Sequence, residues 1–132
     1  KITIPKEERK MIVQINPVAC PRPRVTKSGR VYYPKKYRDW IKEMKVHLSQ
    51  LPLPEGVPIH IDVVFVFHRP QRLPRYGERV IHHKRPDLDN CVKALLDALP
   101  LKDDCVVFSI TAKKYYAAWN ESPNIEIHIE PK

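Results

Sequence analysis

The stretch Lys84–Asp104, KRPDLDNCVKALLDALPLKDD, is the part of the chain from which the rest can be read. From Leu88 the apolar residues Val92, Leu95, Leu96 and Leu99 recur at the spacing of one helix face, which predicts an amphipathic helix. The opposite face then carries Asp89, Lys93 and Asp97. Asp87 stands at or just before the first turn, Pro100 ends the helix, and Asp103-Asp104 follows immediately before an apolar strand. Pro86 pushes the residue before it toward an extended backbone, so the chain should arrive at the helix as a strand or stiff loop.

A purely structural reading accounts for part of this pattern. Asp87 suits a helix N-cap, Asp89 suits the positive end of the helix dipole, and Asp89 with Lys93 makes a favourable i,i+4 pair. It leaves Asn90 and the Asp103-Asp104 pair unexplained. It also ignores where the acids stand, which is inside the most basic part of the sequence. Lys and Arg total 24 against 15 acids over 132 residues, a net charge of +9. That balance favours a polyanionic partner, nucleic acid first. Clustered acids in a basic groove are what a hard divalent cation, Mg²⁺ or Mn²⁺, needs when it works on a phosphodiester.

The length supports one domain with a real core. No long apolar run suggests a membrane span, and no secretory or lipidation motif stands out, which points to a cytoplasmic protein. Cys20, Cys91 and Cys105 have no C-x-x-C spacing and read as small apolar residues rather than as a disulfide or zinc framework. His82-His83 has no cysteine partners and reads as exposed loop. Fourteen prolines against three glycines predict stiff loops and short elements.

Outward from the central stretch, Lys1–Arg9 is polar and reads as a loose end. Met11, Val13 and Ile15 alternate with polar neighbours as a first strand. Residues 19–33 contain Ser28-Gly29 between β-prone pieces and predict a small hairpin carrying Arg22, Arg24, Lys27 and Arg30. After Pro34, Tyr37, Trp40, Ile41, Met44, Leu48 and Leu51 keep helical spacing. Residues 59–68, IHIDVVFVFH, form the most apolar strand, expected to be central and covered on both sides. Residues 69–85 make a long basic loop with Arg69, Arg72, Arg75, Lys84 and Arg85. A strand over Cys105–Tyr115 and another over Ile125–Ile129 complete the chain. The expected fold is α+β, a single mixed sheet with two main helices, its last two strands forming an antiparallel pair.

Phosphodiester hydrolysis requires an activated water, a neutralised pentavalent centre and a stabilised leaving group. Asp87 and Asp89 meet only if the helix start is bent, Asp104 can close the site from beneath, and Lys93 can serve as a point charge on the attacking water or the phosphate. A phosphotransferase of Asp-x-Asp type would place its acids at the end of an apolar strand, which is not the arrangement here.

The joint pattern of Arg85, Asp87, Asp89, Asn90, Lys93, Asp97-Ala98-Leu99 and Asp103-Asp104 resembles the signature of the RusA-type Holliday junction resolvases, tightly over residues 84–107 and more loosely elsewhere. The resemblance implies a RusA-like endonuclease domain over residues 1–132, acting as a homodimer that nicks four-way junction DNA symmetrically with Mg²⁺ or Mn²⁺. It implies metal ligands at the positions of Asp87, Asp89 and Asp104, with Asp103 the alternative to the last, and a lysine required for cleavage at Lys93. Asn90 and Asp103 would support the ligands, and the protein would be bacterial or phage-encoded. The competing class is a basic junction-binding protein whose acids are only structural, held to phosphates by the same arginines and lysines.

Overall fold

The computed structural model describes residues 10–132, so the loose end expected for Lys1–Arg9 lies outside the described residues. The chain runs β1 (Lys10–Val13), β2 (Arg24–Val25), β3 (Val31–Tyr32), α1 (Lys35–Leu48), β4 (Ile59–Phe67), β5 (Val80–Ile81), α2 (Leu88–Ala98), a 3-10 turn at Asp104–Val106, β6 (Val107–Tyr116) and β7 (Asn124–Pro131). Five strands make one mixed sheet in the order β1-β7-β4-β6-β5, and β2 with β3 forms a separate hairpin. The fold is α+β, as the sequence predicts.

β4 is central because it can bury one whole face. Ile59, Ile61, Val63 and Phe65 pack with Val13 of β1 and Ile125, Ile127 and Ile129 of β7 under Tyr37, Trp40, Met44 and Leu48 of α1. Full burial of each such aliphatic side chain contributes roughly 1.5–3 kcal/mol. Both helices lie on this one face of the sheet. The expectation that β4 is covered on both sides does not hold. Its other face presents His60, Asp62 and Val64, all half-buried, and none of the described helices is placed against them; Val66 is buried there.

The last two strands do not pair. β4 lies between them, parallel to β6 and antiparallel to β7, and β7 is paired on its far side with β1. Alternation within a strand reports which face is buried but carries no information about its neighbour, so the adjacency expected from chain order was wrong. The parallel β4–β6 pair requires a crossover, and α2 supplies it. β6 also starts later than its alternation suggests. Residues 104–106 form the 3-10 turn, and a register shift beside Ile59–His60 leaves Phe108 without a cross-strand partner, 59% exposed.

α2 buries Cys91, Ala94, Leu95 and Ala98, with Leu88, Val92 and Leu96 only partly covered. The contact face is therefore built around small residues, which lets the helix approach the sheet closely. α1 ends at Leu48, and Leu51 is buried beyond it through a turn in which its N–H donates to the Leu48 carbonyl. The two helices are tied by the Tyr37 hydroxyl, which donates to Asp97 Oδ2 at 2.8 Å; burial first, then this carboxylate, push the phenol pKa up. Asp97 is thus a structural acid.

Candidate active site

The site begins with a lysine that periodicity assigns to the core. On β6, Ile110 and Ala112 point inward, and Lys114 continues the same phase beside Phe65 of β4. Its Nζ donates to the carbonyls of Lys84 and Pro86, both at 2.6 Å. These charge-assisted bonds fix the segment that delivers the chain to α2. The Arg85–Pro86 peptide is cis. The sequence signal for this residue is a lysine in the same strand phase as Ile110 and Ala112.

Next to it, His82 is buried, at 5% exposure, contrary to the exposed-loop expectation; His83 is exposed. The His82 ring stacks on Tyr116 at 4.1 Å and meets the edge of Phe67 at 4.8 Å. Its Nδ1 accepts the Lys84 N–H at 3.2 Å, so the ring is held as the neutral tautomer protonated on Nε2. Burial, and then the Lys114 charge, lower its pKa. Arg72 lies over the other part of this stack, 5.2 Å from the Tyr116 ring centre, and donates to the Tyr116 hydroxyl.

With the approach fixed, Asp87 occupies the N-cap of α2, yet its side chain makes no capping hydrogen bond. The ion pair anticipated between Asp89 and Lys93 is not formed among the described residues; Asp89 Oδ1 accepts only the N–H of Asn90, at 2.9 Å. Asp87 is the N-cap residue and Asp89 lies in the first turn, as the structural reading has them, but the capping bond and the i,i+4 pair of that reading are both absent among the described residues. Asp87, Asp89 and Lys93 are exposed, and Asn90 is half-buried with its carbonyl accepting the Cys20 N–H. Beneath them the Cys91 thiol is pushed up to about 11, by burial first, with Lys114 opposing and Asp89 and Asp87 adding to the rise. Cys20 is also buried, whereas Cys105 is exposed.

The acid pair at the far end of the crossover divides its work. Asp103 Oδ1 accepts the Cys105 N–H at 3.1 Å and caps the 3-10 turn, while Asp104 is exposed and has no ion-pair partner among the described residues. Asp104 is not drawn into a common cluster with Asp87 and Asp89. Among the described residues, the group of three potential ligands whose atoms lie within 4.8 Å of one another is Asp62, His128 and Glu130, on the opposite face of the sheet. The donor chemistry at Asp87, Asp89 and Asp104, exposed carboxylates with no ion-pair partner among the described residues, suits a hard divalent cation, and their oxygens do not all lie within 4.8 Å of one another.

The basic residues fall into two groups. Arg22, Arg24, Lys27, Arg30, Arg72, Arg75, Lys84 and Arg85 are exposed and have no acid partner among the described residues. The first four surround the β2–β3 hairpin, whose Gly29 adopts φ +86° in the turn. Arg69 differs. Its guanidinium donates to the carbonyls of Pro74, Tyr76, Glu78 and Ala117, so it organises the loop instead of presenting charge to a phosphate. Arg79 closes the same loop onto Glu121 and Glu126, and with the Ala118 N–H and Asn124 amide it holds the Glu121 carboxyl down at about 2.

An α+β domain with exposed acids at the start of its crossover helix, and with exposed cations that have no acid partner among the described residues, suits the class of enzymes working on nucleic-acid backbones. Within that class the family model for Endodeoxyribonuclease RusA matches residues 14–130 of the 132-residue chain, and the chain belongs to the RusA endodeoxyribonuclease family. The membership agrees with the family expected from the D-x-D-N-x-x-K spacing. A search of curated proteins gives no match. No described helix is long and apolar enough to cross a membrane.

Proposed function

We propose that this protein is a cytoplasmic, bacterial or phage-encoded resolvase that cuts four-way DNA junctions by paired symmetric nicks, using Mg²⁺ or Mn²⁺ at Asp87, Asp89 and Asp104. The observation that carries the reading is that the carboxylates expected to cap and pair at the α2 start do neither. A bound divalent cation would supply the Lewis acidity that activates water and neutralises the pentavalent phosphorus. The chain's own residues do the rest. Asp87 and Asp89 offer oxygen ligands at the positive end of α2, where a phosphate is also favoured. Lys93, one turn along the exposed face, places a point charge against a non-bridging oxygen. Lys114 fixes the backbone on which Asp87 stands.

Asp103 caps its turn, which supports Asp104 as the third ligand, and Asn90 supports Asp89 through its backbone N–H. The exposed cations of the hairpin and of the 72–85 segment hold the DNA arms through their phosphates. Two symmetric nicks need two such sites, hence a homodimer. The test is Asp89→Asn on a synthetic four-way junction. Cleavage should be abolished while junction binding is kept or tightened, because a negative charge near phosphates is removed. Undiminished cutting by the variant would refute the catalytic assignment of Asp89, whereas a parent chain that binds junctions without cutting them would leave the rival reading, a basic junction-binding protein with structural acids.

A further inference from the structure

The helix-free face of the sheet carries a second group of ligating side chains. Asp62 of β4 stands directly across from His128 of β7, and His60 directly across from Glu130, so the four occupy the corners of one square on one face. Asp62 has one oxygen tied down, and Glu130 has one beside a cation. Asp62 Oδ1 is held by His60 Nε2 at 3.0 Å, and His60 is itself fixed by Ser109 Oγ on Nδ1 at 2.9 Å. Glu130 Oε2 lies 3.5 Å from Lys132 Nζ. The remaining oxygens, Asp62 Oδ2 and Glu130 Oε1, both face His128 Nδ1, at 3.7 and 3.6 Å.

Those separations are too long for hydrogen bonds. They match the edge of a tetrahedral coordination shell, which for metal–ligand bonds of this kind is roughly 3.4 Å. His128 supplies an independent sign of a missing partner. Its side chain is only 17% exposed, and its Nδ1 meets two acceptors that it does not reach, while its Nε2, on the other side of the ring, is buried with no hydrogen-bond partner among the described residues. An Nδ1 held between two carboxylate oxygens without a hydrogen bond to either is the donor arrangement that a cation would draw together. Beside it a cavity of about 300 Å³, lined by Asp62, His128 and residues of β1, leaves one side of the group open.

We infer that Asp62, His128 and Glu130 bind a borderline divalent transition metal, with Zn²⁺ as its natural probe, at a site separate from the nuclease acids. The imidazole selects this class over Mg²⁺, which favours an all-oxygen shell. Three protein ligands with one open side leave a position for water or a small anion from the cavity. His60 acts from behind Asp62, orienting the carboxylate through the hydrogen bond that Ser109 locks.

The experiment is titration of the untagged, chelator-treated full chain with ZnCl₂ by calorimetry, repeated with CoCl₂ and read by its visible absorption. The Cys105→Ser background removes the exposed thiol as a ligand. One equivalent of Zn²⁺ should bind per chain and raise the unfolding temperature. His128→Ala and Asp62→Asn should each abolish that equivalent, His60→Ala should weaken it by about 10- to 100-fold, and the Asp87→Asn/Asp89→Asn double variant should keep it. The inference is overturned if the wild-type chain takes up no stoichiometric Zn²⁺. It is equally overturned if folded His128→Ala, verified by circular dichroism, binds as tightly as the parent, or if the equivalent disappears in the Asp87/Asp89 variant.

Discussion

Replacing Lys114 by methionine keeps the length and apolar stem of the side chain and removes only its ammonium. Two hydrogen bonds of 2.6 Å to the Lys84 and Pro86 carbonyls are lost. A bond to a charged group contributes about 1.5–3 kcal/mol when shielded. The bond to Pro86 is half-buried while that to Lys84 is exposed and partly replaced by water, so the combined loss should be about 2–3 kcal/mol. The second consequence is positional. Without the clamp the segment before Asp87 relaxes, and a shift of about 1 Å in a catalytic group lowers the rate by roughly 100-fold. Urea denaturation measures the first quantity, and single-turnover nicking of a four-way junction, at a temperature where the variant is folded, measures the second. Lys114→Arg, which keeps donors on a long stem, should recover most of both. The reasoning is refuted if Lys114→Met unfolds within about 0.5 kcal/mol of the parent; a destabilised variant that still nicks at the parent rate refutes the positioning role alone.

The acid pair gives a sharper separation. Asp104→Asn should abolish nicking with stability nearly unchanged, whereas Asp103→Ala should cost about 1 kcal/mol through the lost cap and retain nicking; a reversed pattern would assign the ligand to Asp103. His82 is held neutral with a lowered pKa, so below about pH 6.5 the unfolded chain takes up the proton more readily and stability falls with pH. His82→Phe should flatten the stability profile between about pH 7.5 and 5.5, and an unchanged slope would show that another group sets it. Glu121, held at about 2, contributes stability above its unfolded value that is lost as the pH falls toward about 2. Glu121→Gln should therefore be less stable at neutral pH and lose less on acidification, as followed by thermal melts across the acid range.

Elements whose residues interact with near neighbours were readable in the sequence. The 3-4 spacing of Tyr37, Trp40, Met44 and Leu48 marks α1, and the run from Ile59 to Phe67 marks β4. Features set by distant contacts were not. Burial of His82 depends on Phe67 and Tyr116 arriving from two other strands, and nothing in the run around His82-His83 announces them. The contact face of α2 was legible in part: Leu95 and Leu99 are buried as their spacing predicts, while the equally buried Cys91, Ala94 and Ala98 were missed because apolar pattern weighs leucine above small residues. At the site, Asp87, Asp89 and Asp104 stood out by their spacing, but Lys114 meets the segment before Asp87 only because β5 pairs with β6. Arg69 illustrates the converse, a basic residue whose charge count suggested DNA and whose donors are spent on four carbonyls.

The position of β7 has a consequence for how the molecule is made. It is the last strand of the described chain, yet it fills the gap between β1 and β4, and Lys10 finds its partner at His128. During synthesis both helices and more than nine-tenths of the chain emerge before the sheet can close. Acquisition of structure is therefore governed by long loop closures and should be slow for a domain of this size. A truncation anywhere before Asn124 removes β7 and parts β1 from β4, so minimal-fragment strategies that succeed on modular proteins will fail on this one.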